Sequence, residues 1–84
     1  SLTDQFSSIT SSTALHDFAA KHALERSPLA SGAVYAGTID GARIEVRERW
    51  WDPSSVYAVQ KDRHEAILHV DGKKIATITF EGDS

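Results

Sequence analysis

Two Asp-Gly pairs, each set between runs of alternating apolar and polar residues, limit what this chain can fold into more than any other feature. The first lies inside "AVYAGTIDGARIEVRERW" and the second inside "AILHVDGKKIATITF". A two-residue type I′ turn needs positive φ at both central positions, which Asp and Gly tolerate, and its twist matches that of paired strands. Period-two alternation on either side then makes each segment a β-hairpin. Between the hairpins, "DPSS" reads as a turn and "SVYAVQ" as a central strand, which completes a five-stranded antiparallel meander.

Ahead of the strands the period is helical. "STALHDFAAKHALERSP" offers a cap at Ser12 or Thr13 and a stop at Ser27-Pro28. At about 100° per residue Leu15, Phe18, Ala19, His22 and Ala23 share one stripe, while Asp17, Lys21 and Leu24 point away. Leu2, Phe6 and Ile9 are also helically spaced and mark a short helix before the main one. The predicted class is therefore α+β: an N-terminal helix, with the short one preceding it, packed on a four- to five-stranded antiparallel meander sheet. With 84 residues the chain reads as a single domain over 1–84, helical over about 3–27 and sheet over about 33–81.

Hairpin arithmetic assigns faces. Ile39 falls opposite Ala42, Gly37 opposite Ile44 and Tyr35 opposite Val46. Trp50 continues the Ile44 and Val46 row as a core anchor. Arg43, Glu45, Arg47, Arg49 and Trp51 form the other row, because adjacent side chains on a strand point to opposite faces. The second hairpin, counted the same way, has Ala66, Leu68, Val70 and Ile75 on one face and Ile67, Ala76, Ile78 and Phe80 on the other. Both faces are apolar, whereas a sheet with one wet side should alternate cleanly. Either Leu2, Phe6 and Ile9 cover the second face, a bulged turn shifts the register, or the surface docks a partner.

Composition narrows the chemistry. A net charge of −3 disfavours duplex nucleic acid, which is held through many Lys and Arg contacts to phosphate, although three of the five arginines cluster between Arg43 and Arg49. There is no cysteine, so no disulfide, thiolate nucleophile or cysteine zinc site. No apolar run approaches the roughly 20 residues that span a bilayer, and "SLTDQFSSIT" has no basic start, so a cytoplasmic protein is the expectation. The histidines at 16, 22, 64 and 69 do not converge by spacing, and no glycine loop precedes a helix, so neither metal nor cofactor is expected. Glu45, Glu48, Asp52 and Glu65 read as surface carboxylates. No enzyme activity and no small-molecule substrate are expected.

The expected function is a small non-enzymatic protein-binding module, an adaptor, assembly factor or inhibitor of the sort phages and mobile elements encode, acting through a sheet face. Arg43, Arg47, Arg49 and Trp51 would supply specificity, since Arg and Trp are enriched in interface hot spots, and Ile67, Ile78 and Phe80 would supply apolar area. Its partner is another protein or a second copy of the chain. A solvated face protected by alternating charge predicts the same arginines. The alternative is a single-stranded nucleic-acid-binding sheet, with Tyr35, Trp51 or Tyr57 stacking bases while the arginines track phosphates. The net charge and the interleaved Glu45 and Glu48 weigh against it. A third reading, a tiny enzyme pairing His22 with Glu48, is the weakest.

Overall fold

The computed structural model describes residues 1–52 and 62–82. Helix α1 (Leu2–Ser7) and helix α2 (Ser12–Lys21) precede strands β1 (Glu25–Leu29), β2 (Gly32–Ile39), β3 (Ala42–Trp51), β4 (Arg63–Val70) and β5 (Lys73–Glu81). The strands pair in chain order, every neighbour antiparallel, so the α+β meander is as expected. No helix among the described residues is long and apolar enough to cross a membrane.

Both Asp-Gly turns form as their chemistry demands, with φ of 50° and 82° at Asp40 and Gly41 and 50° and 81° at Asp71 and Gly72. The β2–β3 register is the predicted one, with Tyr35 opposite Val46 and Gly37 opposite Ile44. Among the described residues a strand forms where the sequence predicts none, at β1. Residues 55–60 lie outside the described residues, and β1 fills the edge of the sheet next to β2.

That strand exists because α2 stops earlier than Ser27-Pro28. The amide of Leu24 donates to the Ala19 carbonyl at 2.9 Å and that of Ala23 to Ala20 at 3.2 Å, the paired bonds of a Schellman cap. Ala23 takes the left-handed conformation this cap requires, φ 54°. The chain then reverses, and Leu24 turns into the core, against the expectation that it points outward. Pro28 is compatible with a strand here because an edge strand has one side without a ladder. The helical part therefore ends at Lys21 instead of 27, and the sheet begins at Glu25 instead of 33.

A bulge between Leu68 and His69 settles the second hairpin. Leu68 pairs with Ala76 while His69 pairs with Lys74, so Ile75 is passed over. Every later residue of β5 flips face. Ala76, Ile78 and Phe80 join Ala66 and Leu68 on the inner side, and Ile75 is left 42% exposed. The two-faced apolar hairpin does not form.

Both helices cover the inner face. Phe6 and Leu15 are fully buried and Phe6 meets Phe18 edge-on at 5.9 Å. Helix α1 packs against β5, and Ile9, just beyond it, is also buried. The core beneath runs through Tyr35, Ile44, Val46, Ala66, Leu68 and Phe80.

Candidate functional site

Arg43, Arg47, Arg49 and Trp51 do share the outer face of β3, on the side away from the helices. Arg47, Arg49 and Trp51 are occupied with one another and their neighbours. Arg47 Nε lies 2.6 Å from Glu45 Oε1, Arg49 Nε 2.9 Å from Glu65 Oε1, and Arg63 Nη1 3.6 Å from Glu81 Oε1. The hydrogen bond from Arg47 holds the Glu45 carboxyl below its ordinary range, against a small opposing effect of burial. The Arg49 guanidinium sits 4.6 Å from the Trp51 ring centroid. These are the marks of an ordinary wet sheet face, its charges neutralised in pairs. The three apolar residues assigned to this surface are not brought together. Phe80 is buried, Ile78 packs against the core, and only Ile67 lies on the outer face, between Arg47 and Thr77. Tyr57 lies outside the described residues.

The inner face holds a feature that the sequence reading passed over. Its β3 row runs Ile44, Val46, Glu48, Trp50, so a carboxylate interrupts the core row. The arginines next to Glu48 in sequence make it read as a surface acid, and Glu is rarely buried. The signal was nonetheless present: period-two counting from Asp40-Gly41 puts it between Val46 and Trp50. Its partner is His64, which sits opposite Trp50 on β4, not the His22 once considered. His22 instead bonds Gln5 Oε1 at 2.9 Å, on the helical side.

His64 Nδ1 lies 2.9 Å from Glu48 Oε2, with the two side chains 12% and 3% exposed. The imidazole stacks on Phe80, centroids 5.0 Å apart and planes 14° apart, and tilts against Trp50 at 5.8 Å. Those two rings fix its plane. An ionised carboxylate only accepts, so Nδ1 carries the hydrogen of that bond, and the other ring nitrogen is Nε2. That nitrogen faces Gly82, where a Cβ would stand 2.5 Å away. Only glycine fits there.

Tyr35 completes the group. Its hydroxyl is buried without a hydrogen-bond partner among the described residues. It nevertheless lies within hydrogen-bonding reach of Arg26, opposite it on β1, and of Glu48, although in neither case is the geometry that of a well-formed bond. Burial raises the phenol above its ordinary value, the Arg26 side chain opposing, so the hydroxyl stays protonated and can donate.

These side chains border a pocket of about 280 Å³ between the start of α2 and one end of the sheet. Arg26 and His16 form one wall, Glu48, His64 and Asp62 the other, with the half-buried Trp50 between; Trp50 is thus a pocket wall more than a core anchor. A second, shallower depression of about 420 Å³ shares His16 and Arg26 and continues over Ala19, Ala20, Leu24 and Tyr35. No group of three or more metal-ligating side chains converges among the described residues. Compared with protein-family models, with curated proteins and with solved structures, the chain matches none.

Proposed function

We propose that this is a small binding domain whose ligand is a small polar molecule held over the Glu48–His64 pair. The observation that carries the reading is the burial of Glu48 itself. Taking a carboxylate out of water costs several kcal/mol even after relaxation, and a well-packed apolar residue usually folds at least as well. In a domain of this size, where total stability is of the order of 5–15 kcal/mol, that is a large expense with no return in folding. An ionised carboxylate can accept about four hydrogen bonds. Among the described residues His64 supplies one, and the Tyr35 hydroxyl stands within reach of a second. A ligand bearing donors supplies the rest of that capacity. Ligand-observed NMR with a set of polar fragments tests this. Hits should disappear in Glu48→Gln and in Arg26→Ala and persist in Arg47→Ala, which changes only the outer face. No hits, or hits indifferent to Glu48 and Arg26, would refute it.

A second reading, docking of another protein or a second copy on the outer face, has one observation in its favour. Leu29 and Trp51 are 55% and 38% exposed, and Arg49 lies between them at one end of that face. Five strands of about eight residues present on the order of 600 Å², slightly below the usual share of one partner in a stable complex. Sedimentation or light scattering that finds only monomer at every concentration, unchanged by Trp51→Ala, would remove the self-association version.

A further inference from the structure

The pocket's two walls carry opposite charge. Arg26 projects from the edge strand β1, and His16 from α2 lies 6.2 Å from the ring of Tyr35 on the neighbouring strand. Glu48 lies on β3, two strands, or about 10 Å of backbone, further in. Asp62 borders the pocket just before β4. A ligand of one charge suits one wall and is repelled by the other. A lone carboxylate against Arg26 would stand near a buried carboxylate that cannot move away, and a lone amine beside Glu48 would stand near a guanidinium.

Resting on the reading of this pocket as a ligand site, we propose that it binds a free α-amino acid with an apolar side chain. The ammonium group lies on the Glu48 wall and the carboxylate on the Arg26 wall. An ammonium has three N–H donors. Two carboxylates border that wall, Glu48 and, at the rim, Asp62, with His64 beside Glu48. The carboxylate takes the Arg26 guanidinium and the Tyr35 hydroxyl, which is buried beside Arg26 and can donate. The side chain enters the adjoining depression over Ala19, Ala20 and Leu24, which shares His16 and Arg26 with the polar hollow. At about 280 Å³ the polar hollow sits just under the roughly 300–1,000 Å³ of sites for drug-sized molecules, as suits a ligand of this class.

Calorimetric titration with leucine, 4-methylpentanoate and 3-methylbutylamine tests it, since the last two each lack one charged group. Leucine should bind, and loss of either group should weaken binding about 10- to 100-fold, as expected for a charge-assisted hydrogen bond. Glu48→Gln should abolish the preference for leucine over 4-methylpentanoate. Arg26→Ala, a change on an exposed edge strand that leaves the core intact, should abolish the preference over 3-methylbutylamine. If either single-charge analogue binds as tightly as leucine, or leucine binding survives both substitutions, the assignment is overturned. In that event the fragment hits still stand or fall separately with Glu48 and Arg26. If no fragment and none of the three compounds binds, both readings fall.

Discussion

A buried Glu–His pair is costly in a way that depends on which partner is removed. His64→Ala leaves the Glu48 carboxylate, 3% exposed, without its imidazole donor, and should destabilise the domain by about 3–5 kcal/mol in urea unfolding. Replacing both, Glu48→Leu with His64→Leu, removes the charge and should recover most of that loss. If the double variant were as unstable as the single one, the pair would be stabilising in its own right. Glu45 differs because it is half-exposed and its partner lies on the same strand. Its carboxyl is held below the ordinary value in the folded state, chiefly by Arg47, so the stability it contributes is present above the unfolded value and lost as pH falls through the folded one. The stability difference between the native chain and Arg47→Ala should therefore be present at neutral pH and vanish in acid. Of these two acids, the sequence made Glu45 legible: alternation put it among arginines, and there it is. Glu48 was legible in position but not in environment. Its partner lies on a strand reached through the 53–61 connection, and that register cannot be counted from a turn.

At the scale of elements, local turn chemistry was readable and helix termination was not. Asp-Gly turns carry their own conformational requirement, so β2–β3 could be registered residue by residue. The end of α2 rests on a cap whose defining residue is Ala23, where glycine is the usual signal, and nothing in "KHALER" marks it. An L-residue in the left-handed region costs roughly 1–2 kcal/mol. Ala23→Gly relieves that cost and gives back part of it through the freer unfolded chain, so a gain of about 0.5–1 kcal/mol is expected in thermal or urea unfolding. A loss instead would mean that the Ala23 methyl contributes packing that its exposed position does not show. The bulge at Ile75 belongs to the same class of hidden detail. One extra residue decided whether Ile78 and Phe80 faced a partner or the core, and a two-residue turn cannot announce it.

The whole molecule is a sheet with one face covered by two short helices, and the smaller of them carries more than its length implies. Six residues cannot hold a helix in water by themselves, since isolated helices below about 12–15 residues are marginal. Helix α1 persists because Phe6 is fully buried, meeting Phe18 edge-on, while the helix as a whole closes over β5. The apolar surplus expected on the second hairpin is absorbed in this way: the bulge gathers its large side chains onto one face, and α1 with Ile9 helps to cover them. Removing the ring should therefore act on both helices and on β5 together. Phe6→Ala should cost about 3–5 kcal/mol, the usual loss for a fully buried phenylalanine. For a domain of 60–100 residues each kcal/mol shifts the melting midpoint by about 4–8 °C, so a fall of the order of 15–30 °C is expected in calorimetry. The surface uncovered would be that of Ile78 and Phe80, so dye binding and self-association should rise in the same variant under conditions where the native chain shows neither. A drop of only a few degrees would mean that α1 is a dispensable arm and that β5 keeps its cover without it.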